Sequence, residues 1–164
     1  MEKQMKRGMA IGKPAPDFSL LDQNGDPVNL HDSLQVLPAM LVFYPADFTP
    51  VCTKQLCDYR DNMEQFSSLG IQVFGISKND PESHRAFAEM HQFPFLLLSD
   101  AGNRVAKQYG CSSLFLLGSI SRAVFLVNTQ GVILYRYVEP TRGTRRKSEA
   151  LLEVIKQLRD NKLF

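Results

Sequence analysis

Cysteine is scarce in this chain: its 164 residues include three, Cys52, Cys57 and Cys111. A chain of this length buries a hydrophobic core without covalent staples, so a disulfide-held miniature fold is excluded. Charge of one sign is lacking too. The formal net charge is +2, and only "TRGTRRK" at 141–147 gathers basic residues. That run reads as a solvated turn ahead of a helix, so no nucleic-acid partner is expected. Long apolar runs are also missing. The basic N-terminus "MEKQMKRGMAIGKPAPDF" is broken by Pro14 and Pro16 before any stretch of signal-peptide length, and "FPFLLL" is far too short to span a bilayer. The expectation is a soluble, cytoplasmic protein with no membrane partner. A P-loop is excluded as well, because "GMAIGKP" is one residue short and has Pro14 where a magnesium-binding hydroxyl belongs.

Apolar residues at 44% and charged residues at 22% are ordinary for a globular domain. No repeat, low-complexity tract or linker divides the chain, so residues 1–164 read as a single domain. "FSLLDQNGDPVNL" alternates apolar and polar residues about Asn24-Gly25, a hairpin signal. "PAMLVFYP", "IQVFGIS" and "FPFLLLSD" read as buried strands, and "SRAVFLVNTQGVILYRYV" as two strands about Gln130-Gly131. Leu56, Tyr59, Met63 and Phe66 recur at helical spacing in one helix that ends at Gly70. "DPESHRAFAEMHQF" starts a helix with Asp80 as N-cap and Pro81 first, with Phe87 and Met90 on its apolar face. "AGNRVAKQYG" gives a short helix, and "KSEALLEVIKQLRD" a closing amphipathic one. A hairpin followed by β-α-β-α-β-α-β-β-α predicts an α/β fold: a mixed sheet with helices on both faces.

Two of the three cysteines lie five positions apart in "FYPADFTPVCTKQLCDYRD", which is neither a CxxC pair nor a zinc spacing. No second cysteine pair accompanies them and His84 and His91 are remote in sequence, so no metal is expected. His31, His84 and His91 read as surface or satisfied packing residues. Thr49 suits the N-cap and Pro50 the first helical position, which puts Cys52 in the first turn. Free backbone N–H groups and the positive end of the helix dipole favour a thiolate there, making Cys52 a nucleophile. Cys57 is a rise of ~7.5 Å and a rotation of ~140° further on. The two Cα atoms are then roughly 8–9 Å apart, beyond the ~7 Å limit for a disulfide, so the sulfurs bond only if the helix unwinds. Cys57 equally fits a small hydrophobic residue on the packing face, and spacing alone does not decide between the two.

Pro45, Thr49 and Cys52 form the pattern P-x-x-x-T-x-x-C, which resembles the active-site loop of the peroxiredoxins. "GKPAPDFSLLDQNG", "YPADFTPVCTKQLCDYRDN", "VFGIS", "PESHRAFAE", "LLSD" and "SRAVFLVNTQGVI" extend the resemblance over nearly the whole chain, to the peroxiredoxin Q or bacterioferritin comigratory protein branch. The resemblance implies a thioredoxin-like fold and a thiol peroxidase without cofactor, serving antioxidant defence. It makes Cys52 the peroxidatic residue, attacking hydrogen peroxide or an alkyl hydroperoxide, and Cys57 the resolving one. Thioredoxin or a similar dithiol would reduce their disulfide. Arg122 matches the family's active-site arginine, Thr49 would bind a peroxide oxygen, and Pro45 would shield the thiolate from water. Gln55 stands where many relatives carry glutamate. Tyr44 and Phe48 are candidates for the pocket mouth, with core packing favoured for Tyr44.

Cys111, which has no motif around it, is expected to be a partly buried free thiol, with a resolving role as the alternative. The apolar "CSSLFLLGSI" suggests a dimer contact or, more simply, burial; a monomer is expected, with a weak dimer as the alternative. Two other classes fit the same fold: a disulfide-exchange protein, whose usual CxxC is absent here, and a redox sensor that signals through Cys52 without turnover.

Overall fold

The computed structural model describes residues 8–112 and 119–164, so most of "CSSLFLLGSI", and with it the suggested dimer contact, lies outside the described residues. Asn24-Gly25 turns a hairpin of β1 (Ser19–Leu21) against β2 (Pro27–Asn29), with Gly25 at φ 82°, a conformation open to glycine. The Asp22 carboxylate accepts from the N–H groups of Asn24 and Asp26 and closes the turn. A short helix not marked by the sequence pattern, α1 (Leu30–Leu34), follows at once. It is too short to show a period, and Asn29 caps it by accepting from the Asp32 N–H at 2.9 Å.

The remaining strands are β3 (Ala39–Phe43), β4 (Gln72–Ser77), β5 (Leu96–Ser99), β6 (Ala123–Val127) and β7 (Ile133–Val138). The sheet order is β2-β1-β5-β4-β3-β6-β7. β3, β4 and β5 run parallel, and β6 lies antiparallel to β3 and β7. This is the mixed sheet expected, because parallel neighbours need helical crossovers. The helices are α2 (Pro50–Asp61), α3 (Met63–Ser68), α4 (Pro81–His91), α5 (Arg104–Gln108) and α6 (Ser148–Asp160).

Successive side chains of β3 point to opposite faces and so feed two cores. Leu41 and Phe43 pack with Leu30, Leu34, Val105 and Tyr109 beneath α1 and α5. Met40, Val42 and Tyr44 pack with Leu56, Tyr59, Phe87, Leu151 and Ile155 beneath α2, α4 and α6. Each large apolar side chain fully buried in this way contributes about 1.5–3 kcal/mol. Gly75 of β4 leaves room for the side chains of Leu97 and Tyr44: a Cβ there would sit 2.7 Å from Leu97 and 3.3 Å from Tyr44.

Two details differ from the sequence expectation. The helix read as continuous to Gly70 breaks at Asn62, whose φ of −110° is not helical and whose side-chain amide donates to the Asp58 carbonyl at 2.8 Å. Asparagine offers the backbone this alternative to the helical ladder. Met90 is exposed to solvent, and Phe87 and Ala88 supply the buried face of α4.

Candidate active site

β3 ends at Phe43, and Tyr44 continues its ladder by donating its N–H to the Ile76 carbonyl at 3.0 Å. Residues 45–49 then leave the sheet edge and turn into α2. Phe48 takes a left-handed φ of 64° and lays its ring 4.9 Å from that of Phe87 on α4. Thr49 holds the N-cap position in extended geometry (φ −81°, ψ 146°), with Pro50 first in the helix. Its hydroxyl makes no capping bond. It donates to the Ala46 carbonyl at 3.0 Å instead, which leaves its oxygen lone pairs available to a ligand.

Cys52 follows in the first turn of α2, 1% exposed. Arg122, at the residue before β6, reaches it at the end of the sheet where β3 finishes: Nη1 donates to Sγ at 2.6 Å. The pairing of Phe43 with Ala123 brings the two ends together. Two further guanidinium N–H groups go to backbone carbonyls, Nε to Thr144 at 3.2 Å and Nη2 to Arg142. A buried guanidinium held by these carbonyls is a fixed positive charge aimed at the sulfur.

Pro45 is half-buried at the start of the loop. Gln55, fully buried on the same helix, donates from Nε2 to Tyr59 Oη at 3.0 Å, and Tyr59 Oη donates to the Arg146 carbonyl at 2.5 Å. Glu139 pairs its backbone N–H with the Arg122 carbonyl at 2.8 Å. Burial pushes its carboxyl above the ordinary range, against the opposing pull of the Thr144 hydrogen bond and the Arg146 and Arg122 charges.

Cys57 is half-buried in the same unbroken helix, and Cys52 and Cys57 are both free thiols. Burial raises the Cys57 thiol pKa, with Arg60 lowering it and Asp61 raising it. Its sulfur lies 3.8 Å from Nδ1 of His91 on α4. Cys111 is fully rather than partly buried, because it packs with Tyr109 and Ile120 in the core of the opposite sheet face, away from Cys52.

Two residues with no motif of their own shape the loop. The Asp47 carboxylate, fully buried, accepts from Tyr44 Oη at 2.7 Å, Ser83 Oγ at 2.8 Å and His84 Nδ1 at 2.8 Å. His84 Nε2 faces the Leu98 carbonyl at 3.1 Å. Both imidazole nitrogens therefore face oxygen atoms of the protein. His84 is thus a satisfied packing residue, and it ties residues 44–49 to α4 and β5. Desolvation, together with the neighbouring Asp47 carboxylate, raises the Tyr44 hydroxyl pKa well above its ordinary value, so Tyr44 serves as a buried donor.

The family model described as AhpC/TSA matches residues 11–136. The chain is 44% identical over 127 residues to the chloroplastic peroxiredoxin Q of Triticum aestivum, which covers 77% of this chain and 58% of the relative. The chain therefore spans less than two thirds of that relative's length. Among solved structures it is similar to peroxidoxin BcpB of Mycobacterium tuberculosis, with TM-score 0.80, 33% identity, and coverage of 93% of this chain and 97% of that one. Xanthomonas campestris peroxiredoxin Q superposes with TM-score 0.76 at 23% identity, covering 85% of this chain and 90% of that one, a likeness of fold alone. The sheet and its helices are accordingly the thioredoxin-like fold of these proteins. By the extent of the family match and the identity to its relatives, the chain belongs to the AhpC/TSA family.

Proposed function

We propose that the chain is a thiol-dependent peroxidase that reduces hydrogen peroxide and alkyl hydroperoxides at Cys52. The observation that carries the reading is the Arg122 guanidinium on Cys52 Sγ, in the first turn of the helix that Thr49 precedes. The Cys52 thiolate attacks one peroxide oxygen and the O–O bond breaks. The departing oxygen takes a proton and leaves as water or an alcohol, and Cys52 becomes a sulfenic acid. Arg122 stabilises the charge that develops on the departing oxygen, the Thr49 hydroxyl orients the peroxide, and Pro45 screens the sulfur from water.

Cys57 then displaces the hydroxyl of the sulfenic acid to give a Cys52–Cys57 disulfide and water, once α2 has unwound. A dithiol of the thioredoxin type reduces that disulfide by exchange and is itself oxidised. In this reading residues 1–164 act as one domain and as a monomer, since the resolving thiol is in the same chain. The setting is the cytoplasm, where free thiols persist.

The test is peptide mapping and intact mass after one equivalent of hydrogen peroxide without reductant. Loss of two hydrogen atoms with Cys52 linked to Cys57 is expected, and Cys57→Ser is expected to stop at the Cys52 sulfenic acid. A link to Cys111 would overturn the resolving assignment, and an unoxidised Cys52 would overturn the peroxidase reading itself.

A further inference from the structure

Cys57 presents a chemical difficulty to its own proposed role. The nucleophile in disulfide formation is the thiolate, yet burial and Asp61 hold this side chain towards the thiol. Arg60, the one cation on its own helix that acts on it, is already engaged: Nε bonds Asp61 at 2.9 Å and Nη1 bonds the His91 carbonyl at 2.7 Å.

His91, the last residue of α4, is the neighbour with the missing chemistry. Its Nδ1 lies 3.8 Å from Cys57 Sγ, within hydrogen-bond distance for sulfur. Its ring is packed between two aromatic neighbours. It stacks on Phe93 at 5.5 Å with a 24° interplanar angle and meets the edge of Phe87 at 5.3 Å, while Arg60 holds its carbonyl. Both His91 and Cys57 are half-buried, so solvent can receive a proton from the ring.

We infer that His91 is the general base of the resolving half-reaction, taking the proton from Cys57 Sγ before that sulfur attacks the Cys52 sulfenic acid. The inference rests on the resolving role proposed for Cys57. In the folded helix Nδ1 accepts the thiol proton. As α2 unwinds, the thiolate attacks Cys52 sulfur, the S–S bond forms and the S–O bond breaks. The hydroxide leaves as water with the proton that His91 releases to solvent. Sulfenic acid and thiol thus give disulfide and water, with no further oxidant or reductant. A neutral imidazole is the side chain best suited to this transfer near physiological pH.

The experiment follows disulfide formation in the full chain after a pulse of hydrogen peroxide, with acid quenching, alkylation and mass mapping at each time. His91→Phe keeps an aromatic ring between Phe87 and Phe93 but removes the base. It is expected to slow the Cys52–Cys57 link by roughly 10²-fold, the lower range for general-base assistance. His91→Ala is expected to be slow as well and to recover as imidazole is added, whereas the unsubstituted chain does not respond to imidazole. The rate of Cys52 oxidation in the same samples reports whether the fold has survived. An unsubstituted chain that forms no Cys52–Cys57 link would overturn the resolving role of Cys57, and the inference with it. A normal link in the unsubstituted chain, with His91→Phe resolving equally fast or faster, or with His91→Ala unmoved by imidazole, would overturn the base assignment alone.

Discussion

Arg122 donates to the sulfur of Cys52 at 2.6 Å although 70 residues separate them in sequence. The antiparallel pairing of β3 with β6 makes the contact, and the carbonyls of Arg142 and Thr144 hold the guanidinium in place. Charge stabilisation of this kind acts through orientation, so it depends on the planar fork as well as on the charge. Arg122→Ala is expected to slow peroxide oxidation of Cys52 by about 10²–10³-fold, the range for loss of one preorganised donor. Arg122→Lys should recover only part of that, because an ammonium group cannot reach the sulfur and both carbonyls at once. Quenched-flow oxidation with mass detection measures both.

Asp47 and His84 are expected to fix the loop that carries Thr49. Removing the imidazole with His84→Ala takes one of three hydrogen-bond donors from the buried Asp47 carboxylate, a change that typically costs about 1–3 kcal/mol. Urea unfolding should show a loss of this size. Oxidation of Cys52 should also fall in the folded fraction, since the loop loses its tie through His84 to β5 and is held against α4 only by Ser83 on Asp47 and by Phe48 on Phe87. An oxidation rate equal to that of the unsubstituted chain would mean that the pair supports the fold and not the loop.

The sequence pattern reveals those parts of the molecule that local chemistry decides. The apolar run of residues 39–43 is buried throughout, as its bounding prolines suggest, and Asp80 with Pro81 starts α4 through a carboxylate that accepts from the Ser83 N–H. Thr49 and Cys52 stand out through their motif, and the resemblance points to Arg122, which alone looks like a strand-end residue. What the pattern hides is set by tertiary contacts. Asp47 and His84 meet only because the loop and α4 pack together, and neither shows a period. Asn62 breaks the long helix through its own side chain, where apolar spacing continues past it. Cys111 is covered from the opposite face of the sheet by residues distant in sequence.

Glu139 gives a pH-dependent test of the charge around Arg122. Burial raises its carboxyl pKa in the folded state above the unfolded value, so ionisation of this group works against folding. Its favourable contribution is present below the unfolded carboxylate range, near pH 4, and is lost as pH rises through the higher folded value. Glu139→Gln removes that ionisation. The variant should therefore be more stable than the unsubstituted chain at neutral pH, and the difference should shrink as pH falls towards the carboxylate range. Thermal unfolding across pH measures the difference.

Asp58 bears on how far α2 must unwind. The three residues after Cys57 are each tied to another element: the Asp58 carboxylate accepts from the Ser148 N–H at 2.7 Å and Oγ at 2.8 Å, Tyr59 donates to the Arg146 carbonyl, and Arg60 to the His91 carbonyl. Ser148 is the first residue of α6, so Asp58 serves α6 as a cap borrowed from α2. Cys57 cannot reach Cys52 while the helix stands, and the end of α2 that follows Cys57 resists being pulled along. Asp58→Ala frees it. Disulfide formation after peroxide should then be faster, and global stability lower by about 1 kcal/mol, as for a lost N-cap. The two effects separate the alternatives. Faster closure with reduced stability means that unwinding runs past Cys57 into the anchored turn. An unchanged closure rate with the same loss of stability means that only the turns between Thr49 and Cys57 open, and that Asp58 to Arg60 form the fixed end from which the resolving thiol swings.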